Sequence, residues 1–227
     1  MDRFKLAILF LGPTIMIAAG LQGMRSVPLT FVLFYGWLLL VPLGSFVLRR
    51  RAGACADSRF QTDRKRPRTK SDILLGIGSG AVFLGAIVTA AVQFHPLLLN
   101  IPRLKELLQE WHFTGEHMIW LVLVLLVLNP LLEEAYWRGY MLRKLTDARV
   151  RPAMAVFLTS LFYSLYHVLS IMPIFERPWN IVLVLPVFAA GLFWGWMRLR
   201  HASLTGSVLS HSFADAGIMC VYFLYLS

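Results

Sequence analysis

Seven apolar stretches, at about 6–23, 29–48, 73–95, 118–142, 153–172, 181–197 and 203–226, constrain this chain more than any other feature. Each is close to the ~20 residues that cross the hydrocarbon of a bilayer as a helix. A soluble fold of this length needs a polar shell. Only 15% of the 227 residues are charged and 58% are apolar, against roughly 25% charged in soluble domains. The expectation is an all-α, polytopic membrane protein of about seven transmembrane helices, forming one domain over 1–227. Within it, 1–117 would hold the N-terminal spans and a basic loop, and 118–227 the chemistry. The first run follows Arg3 and Lys5 and ends at Ala18-Ala19-Gly20, as a secretory signal would. A second span follows within a few residues, so we read it as membrane-embedded.

The formal net charge of +10 is a topology signal, because 17 of the 22 Lys and Arg lie at span ends that share one side. Such residues collect on the cytoplasmic side of short loops, which excludes nucleic acid as the reason for the charge and places the N-terminus inside. The 49–71 stretch is a solvated basic loop that can also meet anionic lipid headgroups. Between 96 and 117, Leu104, Leu107, Leu108 and Trp111 alternate with charged residues at helical spacing, which predicts a short interfacial helix. Gly76 with Gly80, and Gly191 with Gly195, match the small-xxx-small pattern of close helix packing. Cys55 and Cys220 imply no disulfide framework.

Of the twelve acidic residues, nine, Asp72 among them, read as loop or terminal positions; Glu133, Glu134 and Asp215 do not. A carboxylate at the centre of a span costs about 2.5–3.5 kcal/mol on insertion scales, so it persists only when paired, hydrated or needed. His167 and His211 are the embedded histidines. Glu134 and Arg138 lie at i and i+4 and can form an ion pair, while Glu133 is turned by about 100° toward another partner. His211 and Asp215 share one face of the last span, as do Tyr163 and His167 of the fifth. Counting from the inner basic ends puts Glu133 and His211 near mid-bilayer and His167 deeper, unless its helix tilts or begins later. Pro130 removes a hydrogen bond to the Leu126 carbonyl and predicts a kink before Glu133. Tyr136, Trp137 and Tyr140 read as residues that pack at a helix interface or line the site.

These residues resemble the CAAX protease and bacteriocin-processing (CPBP, or Abi) family of intramembrane endopeptidases, which includes the Ras-converting CAAX endopeptidases. Glu133-Glu134-Ala135-Tyr136-Trp137-Arg138 matches its EExxxR motif, Tyr163 to His167 its FxxxH motif with Tyr for Phe, and His211 to Asp215 its HxxxN/D motif. The resemblance implies a glutamate-type protease with a catalytic core in the C-terminal four spans. Glu133 and His167 would activate water, His211 and Asp215 would stabilise the oxyanion, and Glu134, Arg138 and Tyr163 would support them. An amide at 215 can donate to an oxyanion, whereas the ionised carboxylate present here cannot. No cofactor is needed for this chemistry; the alternative is zinc held through His167 and His211.

The partners implied are membrane lipids and a membrane-anchored, lipidated or leader-bearing polypeptide. The compact length suggests a prokaryotic cytoplasmic membrane, where leader maturation, sorting-signal cleavage or bacteriocin immunity replace prenylated tails as the expected setting. No HExxH motif is present, Ser79 lacks the GxSG context of rhomboid proteases, and Asp215 stands alone among the spans where an aspartyl site needs two. Two other classes use the same buried groups: a proton-coupled transporter and a non-catalytic immunity scaffold.

Overall fold

Within hydrocarbon no water is available to backbone N–H and C=O groups, so an apolar run of spanning length satisfies them internally by forming a helix. All seven runs do so in the computed structural model, which describes residues 3–51, 69–113, 118–201 and 203–226. In chain order the helices are α1 (Arg3–Gly23), α2 (Val27–Arg51), α3 (Thr69–Leu98), α4 (Ile101–Glu110), α5 (Met118–Asp147), α6 (Pro152–Ile174), α7 (Trp179–Arg200) and α8 (Thr205–Tyr225). All but α4 are long and apolar enough to cross a membrane. The chain is a multi-pass integral membrane protein. Most of the 49–71 loop, including Cys55, lies outside the described residues, and Cys220 is an exposed free thiol on α8.

The short amphipathic helix expected within 96–117 is α4. Its first turn is capped by the Asn100 side chain, which accepts from the Arg103 N–H at 3.3 Å. Leu104 and Leu108 are buried beneath it, and the Trp111 carbonyl that follows accepts from Val27 N–H at 2.8 Å. This helix therefore seals one end of the bundle where α2 begins.

Small residues set the closest helix contacts. Gly76 of α3 lies directly against the Gly206 backbone of α8, and a Cβ built on Gly80 would stand 2.8 Å from Phe213 Cβ. Gly191 and Gly195 of α7 do the same against Ser160 and Val156 of α6, at 3.1 and 2.7 Å. Asp72 corrects the sequence assignment. It is a buried side chain in the first turn of α3, not a loop residue, and its carboxylate accepts from Gly206 N–H at 3.1 Å. It thus caps α8 from a neighbouring helix, satisfying a donor that the helix start leaves open.

The fourth span accommodates Pro130 by widening its turns. α5 is α-helical at Met118–Leu123, π-helical at Val124–Leu128, α-helical at Asn129–Glu134, π-helical at Ala135–Met141 and α-helical again at Leu142–Asp147. Asn129 N–H reaches back five residues to the Val124 carbonyl. Two loosened turns therefore flank the single segment that carries both glutamates. Tyr136 and Tyr140 bolt this segment to the N-terminal helices. Tyr136 Oη donates to the Leu9 carbonyl at 2.6 Å and accepts from Trp37 Nε1 at 3.1 Å, while Tyr140 Oη and Ser45 Oγ lie 2.8 Å apart.

Gly76→Val is expected to force α3 from α8 and cost about 3 kcal/mol through overpacking. Gly78→Ala, where nothing lies within 4 Å, should be neutral or stabilising by up to about 1 kcal/mol. Unfolding in detergent micelles distinguishes the two; equal behaviour would contradict the packing described.

Candidate active site

His211, projecting from α8, sits at the centre of the buried polar groups. Adjacent residues of a helix face about 100° apart, yet Glu133 and Glu134 grip this one imidazole from its two edges. His211 Nε2 is 3.6 Å from Glu133 Oε2, and Nδ1 is 3.5 Å from Glu134 Oε1. Asp215, one turn further along α8, brings Oδ1 to 3.7 Å from the same Nε2. The hydroxyl of Tyr163, from α6, lies 3.4 Å from it as well. The ring is stacked on Trp194 of α7 at 4.2 Å and 17°, and Trp194 is held by donation from Nε1 to Ser210 Oγ at 3.1 Å.

Arg138 closes the far side. Its Nη1 pairs with Glu134 Oε1 at 3.0 Å, as the i,i+4 spacing predicts, and its Nη2 donates to the Gly191 carbonyl at 3.0 Å. The guanidinium also lies over the Tyr163 ring, 4.6 Å from its centroid. Gly191 makes this possible, because a Cβ there would stand 3.2 Å from Nη2. Ion pair and ring contact both occur with no exposed side-chain surface on Glu134 or Arg138.

Glu133, Glu134, Arg138, Tyr163, His211 and Asp215 are therefore brought together. His167 stands beside them and makes no direct bond to either glutamate. Its helix begins at Pro152, as the sequence suggested, so a later start does not explain its position. Its ring packs between Tyr163 and Tyr166, with centroids 4.6 and 4.5 Å away, and Nδ1 lies 2.8 Å from the Tyr163 carbonyl. A carbonyl only accepts, so Nδ1 carries the proton and Nε2 of the neutral ring presents its lone pair. Counting depth from basic residues was a coarse guide: α5 runs on to Asp147 and α8 starts at Thr205, so residues at unequal counts still meet.

Three contributors escaped the sequence reading. Asn129, one turn before Glu133, donates Nδ2–H to Asp215 Oδ2 at 3.1 Å and accepts at Oδ1 from Tyr35 Oη at 3.2 Å. Tyr166 stacks on the His167 ring, with centroids 4.5 Å apart at 29°. An amide four positions before a buried glutamate in an apolar run was the available signal for Asn129, whereas Asn-Pro reads first as a helix breaker. Tyr35 and Tyr166 carried no such signal, being aromatic residues among apolar neighbours.

The zinc alternative through His167 and His211 does not fit this arrangement. Among the described residues no group of three His, Cys, Asp or Glu side chains is disposed to hold a metal ion.

Residues 115–217 match the family described as Rce1-like, Type II CAAX prenyl endopeptidase Rce1-like. Comparison with curated proteins and with solved structures gave no match. The matched residues include both glutamates, Arg138, both embedded histidines and Asp215.

Truncating Arg138 takes the cation from the buried Glu134 carboxylate and a side-chain donor from the Gly191 carbonyl. Arg138→Ala is expected to destabilise the protein by about 3–5 kcal/mol, and Arg138→Lys to recover part of it because charge is kept but the fork and ring contact are lost. Unfolding midpoints in micelles test this; an unchanged midpoint in Arg138→Ala would contradict the pairing.

Proposed function

We propose that this chain, whose residues 115–217 match the Rce1-like type II CAAX prenyl endopeptidase family, is a glutamic intramembrane protease of that family, and that it hydrolyses a peptide bond of a membrane-anchored, lipidated or leader-bearing polypeptide with water activated by Glu133 and His167. The observation that carries this reading is the convergence of Glu133 and Glu134 on the two edges of His211, within helices of spanning length. Amide hydrolysis needs a base for water, an acid for the leaving amine and donors where negative charge develops. Glu133 takes the proton from water as its oxygen bonds to the carbonyl carbon. His211, which Glu134 and Arg138 hold in place, faces the oxygen on which charge grows. As the carbon–nitrogen bond breaks, the proton on Glu133 passes to the amine. His167 Nε2, with its lone pair free, assists in orienting the water.

Depth in the bundle favours substrates that are themselves held by the membrane, since a soluble chain would have to be drawn into hydrocarbon. The basic residues at the span ends favour an N-terminus in the cytoplasm, with the basic 49–71 stretch on the same side.

Glu133→Gln keeps the shape and removes the base. In purified protein reconstituted into liposomes with a library of lipidated and transmembrane peptides, it is expected to lower cleavage by about 10²–10⁴-fold without changing the unfolding midpoint by more than about 1 kcal/mol. Wild-type protein that cleaves no peptide but conducts protons, with flux surviving in Glu133→Gln, would replace this reading by transport.

A further inference from the structure

The side chain at 215 is a carboxylate, which accepts hydrogen bonds and has none to give to an oxyanion. An amide nevertheless reaches that place from another helix. Asn129, on α5, is clamped between two partners: its Nδ2–H donates to Asp215 Oδ2 at 3.1 Å, and its Oδ1 accepts from Tyr35 Oη at 3.2 Å. These partners fix which way the carboxamide points. Turning it over would set Oδ1 against a carboxylate oxygen and lose the bond to Asp215. The Nδ2 group carries two N–H bonds. Asp215 takes one, and no side chain or carbonyl among the described residues takes the other.

Position supports a use for that spare donor. Asn129 and Glu133 lie four residues apart on one α-helical segment, hence on one face, separated by about 6 Å along the axis. A carbonyl group and its attacking water would bind between this amide and the carboxylate. Exposure is graded in the same sense. The side chains of Glu134 and Arg138 are 0% exposed and that of Asp215 is 13% exposed, so the cluster opens at the edge where Asn129 stands. The negative charge of Asp215 also polarises the amide that it holds, strengthening the free N–H as a donor.

We propose that Asn129, held between Tyr35 and Asp215, supplies the amide N–H that this site presents to the carbonyl oxygen of the scissile bond, with Asp215 orienting it. The inference rests on the hydrolytic reading above. It also brings the N-terminal half of the chain into the site, because Tyr35 lies on α2, outside the matched residues.

The test uses full-length protein in liposomes and the peptide that the wild type cleaves best, together with the aldehyde of the same peptide, whose hydrate mimics the tetrahedral intermediate. Loss of one oxyanion donor costs about 10²–10³-fold in kcat. Asn129→Ala is expected to show that loss with KM within about threefold of wild type, and to bind the aldehyde more weakly in proportion to kcat. Asn129→Asp, nearly isosteric, carries the same expectation should the alanine variant fail to fold. The exchange Asn129→Asp with Asp215→Asn returns an amide to the pair from the opposite helix and should restore kcat to within about tenfold of wild type. A kcat within threefold of wild type in Asn129→Ala overturns the proposal. So does a loss of kcat with unchanged aldehyde binding, which marks a structural role only. A wild-type protein that cleaves nothing overturns the hydrolytic reading and this one with it.

Discussion

Two neighbouring carboxylates on a helix inside a bilayer must find donors that the lipid cannot supply, and the rest of the bundle is arranged around that demand. Glu134 is paired with Arg138 on its own helix, and the His211 ring lies between the two glutamates, Nδ1 3.5 Å from Glu134 and Nε2 3.6 Å from Glu133. Each partner needs its own support. Arg138 requires the missing side chain at Gly191 to reach a carbonyl, and His211 requires Trp194 as a floor. α8 must be held at the height that places His211 between the glutamates, and the Asp72 cap at Gly206 with the Gly76 contact does this. A small residue or a cap far from the cluster is thus tied to it through one helix position.

The pattern of α5 follows from the same demand. Pro130 has no N–H to return to the Leu126 carbonyl; a π-helical turn precedes it, and a second follows the two glutamates. The segment is then fixed from outside. Tyr35 holds Asn129, while Tyr136 and Tyr140 reach α1 and α2. The residues before the matched family segment are accordingly part of the scaffold of the cluster, and Tyr35 touches it through a single amide.

Much of this was legible in the residues alone. The seven spans follow from apolar length, because hydrocarbon allows little else, and the pairing of Glu134 with Arg138 follows from helical spacing. The glycine pairs announced close packing and are found in it. What periodicity could not give was helix height. Asp72 read as a loop residue because its span was drawn from residue 73, and the true start four residues earlier buries it. Neutral polar residues escaped for a different reason. Asn129 and Tyr35 carry no charge to mark them as costly in lipid, so their roles emerge only from three-dimensional contacts. Tyr163 shows the converse: an aromatic variation within a motif that adds a hydroxyl 3.4 Å from His211.

The central claim is that Glu133 and His167 share a water molecule. An experimental density map of the protein in lipid, at a resolution that shows ordered solvent, addresses it directly. The account predicts a solvent peak within about 3.2 Å of both a Glu133 carboxylate oxygen and His167 Nε2. Continuous side-chain packing between the two, with no peak, would contradict it.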